Sequence, residues 1–150
     1  MKKLLVVLVA GMMIFGAAKS HALMNVYGEY LSSVAGGVGG GVNFGMVKAG
    51  VHFSGLGLSF GGGVNFPIMA PIMDGKLTPC LDAQFHYALS WGIWSIPVGV
   101  TVDYKINDQM TAYGGGGVDV YSWGNLWAGW AGLPAIGVGA SFQGGVKYGF

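Results

Sequence analysis

Residues 135–150, Ala-Ile-Gly-Val-Gly-Ala-Ser-Phe-Gln-Gly-Gly-Val-Lys-Tyr-Gly-Phe, decide the fold. The even positions are Ile136, Val138, Ala140, Phe142, Gly144, Val146, Tyr148 and Phe150; the odd ones are Gly137, Gly139, Ser141, Gln143, Gly145, Lys147 and Gly149. Successive side chains of a strand point to opposite faces, so this period of two predicts a long strand with one apolar and one small or polar face. The pattern repeats upstream. Ile96, Val98, Val100, Val102, Tyr104 and Ile106 alternate with Pro97, Gly99, Thr101, Asp103 and Lys105, and Asn107-Asp108 then marks a tight turn into residues 110–121. Leu81, Ala83, Phe85, Tyr87, Leu89, Trp91 and Ile93 outline another strand, whose other face carries Asp82, Gln84, His86, Ala88 and Ser90.

Glycine blurs the first half. Residues 26–34, 38–47, 51–60 and 64–68 read as strands, with residues 36–41, 48–50 and 61–63 as glycine-rich turns. Val51 and Phe53 are odd while Leu56, Leu58 and Phe60 are even, so a bulge is expected near residues 54–57. The total is eight strands. An even number joined by short connections predicts an all-β, antiparallel, up-and-down barrel.

Composition says what surrounds it. Only 9% of residues are charged and 53% are hydrophobic, against about 25% charged in ordinary soluble domains. Past the N-terminal segment, Gly, Asn, Ser or a charge breaks every run long enough for a membrane helix. A barrel that pairs every backbone group internally is the remaining way to face lipid. The expected fold is therefore an eight-stranded transmembrane β-barrel.

The first 22 residues read as a cleaved export signal. Lys2 and Lys3 precede an apolar run from Leu4 to Ala18, and Ser20-His21-Ala22 offers small residues for cleavage. Residues 23–150 would form the barrel. They carry Lys48, Lys76, Lys105 and Lys147 against Glu29, Asp74, Asp82, Asp103, Asp108 and Asp119, with no Arg. That mildly acidic balance, without clustered cations, excludes a nucleic-acid partner. Cys80 is the only cysteine, so no intramolecular disulfide forms, and a buried or lipid-facing thiol is expected.

The faces assign the side chains. Glu29, Asp82, Gln84, His86, Asp103, Lys105, Asp119, Gln143 and Lys147 fall on the inner face, as a polar network that fills a narrow lumen. Trp91, Trp94, Trp123, Trp127 and Trp130 collect at two connections on one side; Tyr104, Tyr148 and Phe150 collect at the other. Two aromatic levels are what the two interfaces of a membrane predict. The segment 122–134 holds three of the tryptophans and no charge, which suits an interfacial anchor or a surface contact.

The ending Val146-Lys147-Tyr148-Gly149-Phe150 resembles the C-terminal assembly signal of outer-membrane β-barrels, in which a terminal Phe completes an apolar face. Residues 103–110, Asp-Tyr-Lys-Ile-Asn-Asp-Gln-Met, resemble a strand, periplasmic turn and strand of the OmpA-like and OmpW-like small barrels. Leu77-Thr78-Pro79-Cys80 is similar to their Leu-Thr-Pro-Tyr element, with Cys80 in place of Tyr. The resemblance implies residence in the outer membrane of a Gram-negative bacterium, among its lipid and lipopolysaccharide. It also implies recognition of Val146, Tyr148 and Phe150 by the barrel-assembly machinery.

A structural or interaction role is the first functional expectation. A narrow porin-like channel or a binder and transporter of small hydrophobic ligands is the second, and a lipid A-modifying enzyme the third. His52-Phe53-Ser54 resembles the His-x-Ser of lipid A deacylases, where the imidazole would activate the hydroxyl. Residues 55–73 contain no Asp or Glu to complete that chemistry, so no catalytic residue is assigned. No spacing suits a metal or a phosphate-binding loop, and no cofactor is expected.

Overall fold

A computed structural model describes residues 24–123 and 135–150. They form eight strands: β1 Met24–Ser32, β2 Gly37–Phe44, β3 Val47–Ser54, β4 Gly57–Pro67, β5 Leu77–Ala88, β6 Ile93–Lys105, β7 Met110–Trp123 and β8 Ala135–Gly149. Each pairs antiparallel with the next, and β8 closes on β1 from Asn25↔Gly149 to Ser32↔Phe142, giving a closed meander barrel. The segment read as an export signal, residues 1–22, lies outside the described residues, as does the connection 124–134 with Trp127 and Trp130.

The second half follows its alternation. β6 and β7 pair from Trp94↔Ser122 to Lys105↔Thr111, and β7 and β8 from Met110↔Tyr148 to Trp123↔Ala135. The Asn107 Oδ1 atom accepts from Gln109 N at 2.9 Å and Met110 N at 2.7 Å, an Asx turn that reverses the chain. One boundary moves: β5 ends at Ala88, and Ile93 belongs to β6 with its side chain buried inside.

The three expected glycine turns are strand instead. Residues 37–41 lie in β2, 48–50 in β3 and 61–63 in β4. The chain reverses in two-residue turns, at Gly45-Met46 between Phe44↔Val47 and at Gly55-Leu56 between Ser54↔Gly57. Gly45 has φ +60 and Gly57 φ +90, values that favour glycine. A two-residue turn also switches parity: Val51 pairs with Phe60 and Phe53 with Leu58, all facing out, so no bulge is needed.

Glycine inside the strands brings backbones together. A Cβ on Gly115 would meet Val100 O at 2.1 Å, and one on Gly99 would meet Gly116 O at 2.4 Å. The space these residues free is occupied by neighbouring chain, which lets a small barrel curve tightly. Strand length is uneven around the wall: β2 and β3 have 8 residues each, whereas β7 has 14 and β8 has 15. The terminal end of the barrel carries Met24, Phe150 and the turn 106–109; the far end carries the turns 33–36, 55–56 and 89–92.

Candidate functional site: the charged interior

Polarity is inverted relative to a water-soluble domain. Fully buried side chains include Lys48, His52, His86, Asp82 and Asp119, while Val138 (69%), Phe142 (63%) and Phe53 (64%) stand exposed on the outer wall. The inner face of each strand supplies the buried set, because charged and polar residues occupy its alternate positions.

Glu29 on β1 is the first hub. Its Oε2 lies 3.1 Å from Lys48 Nζ and accepts the Tyr113 hydroxyl, and its Oε1 lies 3.0 Å from His52 Nε2. Lys48 reaches on to Asp82 Oδ2 at 3.5 Å. Asp82 is the second hub, accepting Asn65 Nδ2 at 2.9 Å and Gln84 Nε2 at 2.6 Å. Gln84 also donates to Gln143 Oε1 at 2.8 Å, and its Oε1 lies 3.0 Å from His86 Nε2. A third group joins Lys147 to Asp103 Oδ2 at 2.6 Å and to Asn65 Oδ1 at 3.4 Å. The Tyr113 ring stands between the two ammonium groups, 5.5 Å from Lys48 Nζ and 4.8 Å from Lys147 Nζ. Cation–π attraction therefore adds to ion pairing across the lumen.

Of the residues expected there, Glu29, Asp82, Gln84, His86, Asp103, Gln143 and Lys147 come together in this web. Asp119 faces inward but apart from it, towards the far end, where Oδ2 accepts Val34 N at 2.9 Å. Lys105 departs from the expectation. It sits at the terminal mouth, 48% exposed, paired with Asp108 at 2.8 Å. The mouth forms a shallow recess lined by Lys76, Thr78, Asp103, Lys105, Gln109 and Thr111, among others.

Sequence reasoning missed Lys48, Asn65 and Tyr113. Lys48 and His52 lie on the inner face of β3, opposite Val47, Ala49, Val51 and Phe53, an alternation hidden when residues 48–50 are read as a turn. His52 lies near the far end, two residues before the end of β3, with its ring edge-on to His86 at 4.7 Å. Its Nε2 is engaged by Glu29, and Ser54 Oγ accepts Leu56 N at 3.1 Å, so the His-x-Ser pair is committed to other bonds.

Buried His52 Nδ1, His86 Nδ1, Asp103 Oδ1 and Asp119 Oδ1 have no hydrogen-bond partner among the described residues. Among the described residues no three His, Cys or carboxylate groups converge as a metal would require. Cys80 is buried on the inner face, its thiol directed at Thr78 O at 3.6 Å. Near the far end Trp91, in the turn 89–92, is exposed and Trp94 is half-buried, and β7 ends there at position 123. Tyr104, Tyr148 and Phe150 are exposed at the terminal end, and the last two stack edge-to-face at 5.5 Å. Val146, also exposed, continues their row along β8.

Compared with known proteins, the chain matches no family model, no curated protein and no solved structure.

Proposed function

We propose that this protein is an integral outer-membrane barrel with a structural or interaction role, exported on residues 1–22 and set in lipid by its outer wall. One observation carries the reading: the wall presents large apolar side chains on all eight strands while every strand charge except Lys105 at the terminal mouth is turned inward. Water would penalise that wall; hydrocarbon would solvate it. The occupied interior favours a scaffold over an open pore, since ion pairs and hydrogen bonds span the lumen from Glu29 to Lys147. Surface contact is assigned to the tryptophan-rich segment 122–134, on its composition. The terminal row Val146, Tyr148 and Phe150 is the part offered to the assembly machinery.

The test is fractionation of cells expressing the full chain, followed by a denaturing gel run before and after boiling. Recovery with the outer membrane and faster migration of the unboiled band are expected of a detergent-resistant barrel. Recovery in the soluble periplasm without a band shift would overturn the membrane reading.

A further inference from the structure

Among the described residues, the far mouth is closed by the β1–β2 turn. Residues 33–36 bend inward, so that Ala35 is fully buried and packs with Val34 and Leu56 against Ala88 and Ile93. Gly36 is buried beside it, and its amide donates to Ser33 O at 3.2 Å. Two polar contacts tie this turn to the opposite wall. Val34 N donates to Asp119 Oδ2 on β7 at 2.9 Å, and Ser95 Oγ on β6 approaches Ser33 Oγ at 3.5 Å.

Asp119 makes a poor permanent lock. Its residue is 1% exposed and it accepts backbone amides from Val34 and Ile96, but among the described residues its Oδ1 has no partner and no ion pair includes it. A buried carboxylate without a cation is costly, and water reaching it would recover much of that cost. The apolar seal opposing release is small, made by side chains no larger than Leu and Ile.

We propose that the β1–β2 turn is a displaceable plug latched by Val34 on Asp119, and that its release admits water and small cations to the upper lumen. The sign of the solute follows from the lining. Glu29, Asp82, Asp103 and Asp119 face inward against Lys48 and Lys147, so buried carboxylates outnumber buried ammonium groups. Below the plug stand Ser59 and Ser95, both fully buried, and then the His52–His86 pair, whose free Nδ1 atoms can accept hydrogen bonds from entering water.

The test places a single thiol beneath the plug. In full-length chain carrying Cys80→Ser, refolded in detergent micelles, Ser59→Cys is labelled with a trimethylammonium methanethiosulfonate or its sulfonate counterpart. With the native turn this thiol should react slowly. Asp119→Ala and, separately, Val34→Pro break the latch from opposite sides, since proline has no N–H to donate. Each should speed labelling about tenfold, the scale set by losing one charge-assisted hydrogen bond. In Val34→Pro, which keeps the Asp119 charge, the cationic reagent should gain more than the anionic one. Asp108→Ala, which removes a charge from the other mouth, should change nothing. Only variants that keep the heat-modifiable band are compared, so a variant that fails to fold leaves its counterpart to decide. Fast labelling with the native turn, or unchanged labelling in the folded latch variants, would overturn the plug; equal gain for both reagents would overturn its cation preference.

Discussion

Lys48 Nζ on β3 lies 3.1 Å from Glu29 Oε2 on β1, and the two side chains are 1% and 0% exposed. β2 lies between them in the wall, so the bond ties together strands that share no backbone pairing.

Removing one partner leaves the other charged and dry. Lys48→Met should lower unfolding stability by about 3–5 kcal/mol, the usual penalty for orphaning a buried charge. Adding Glu29→Gln should restore a substantial part of it. Urea titration of the barrel in lipid vesicles measures both; a double variant no more stable than Lys48→Met would refute the pairing argument.

Neighbouring glycines on β7 should respond in opposite ways to alanine. At Gly115 the new methyl would lie 2.1 Å from Val100 O, whereas at Gly114 its nearest neighbour is Gln143 O at 3.8 Å. Gly115→Ala should abolish or sharply slow folding, and Gly114→Ala should fold like the parent. Refolding yield, read from the unboiled gel band, separates them.

The outer wall can be probed by depth. Val100 lies in the middle of β6 and faces out, so Val100→Arg should destabilise the barrel in vesicles by roughly 2–4 kcal/mol if that face meets the bilayer midplane. Tyr104→Arg, near the terminal rim, should cost less. Equal effects at the two sites would count against a lipid-facing wall.

At the terminal turn the Asp108 carboxyl is held below the usual carboxylate range by a hydrogen bond from Lys105 and by its charge. A lowered carboxyl pKa stabilises the fold above the unfolded value, and that contribution is lost as pH falls through the folded one. Because Asp108 is fully exposed, the effect on stability should be slight and screened by salt. Lys105→Ala should raise the Asp108 titration midpoint in carbonyl NMR while leaving the unfolding temperature nearly unchanged.

How legible the barrel is in the sequence depends on where side chains mark the faces. β6 and β8 carry a branched or aromatic residue at most outward positions, and their alternation survives intact. Gly39-Gly40-Gly41 and Gly61-Gly62-Gly63 mark neither face, so composition suggests turns, yet pairing with Tyr27–Glu29 and Gln84–His86 makes them strand. The actual reversals at Gly45-Met46 and Gly55-Leu56 are short and half apolar, which conceals them. The same misreading hid Lys48, and with it the cation that complements Glu29 and Asp82. Lys105 shares the inner parity of Asp103 but lies one step nearer the mouth, where alternation carries no information about depth.

The uneven strand lengths have a consequence for whatever encloses the barrel. A membrane strand needs about 9–11 residues to cross hydrocarbon. β2 and β3 have 8 residues each, and the strands diametrically opposite, β6 and β7, have 13 and 14. In a bilayer the low wall would draw the leaflets together while the tall wall met them at full thickness. The molecule would act as a wedge with a compass direction, gathering shorter acyl chains on one side and biasing how other proteins approach it in the plane.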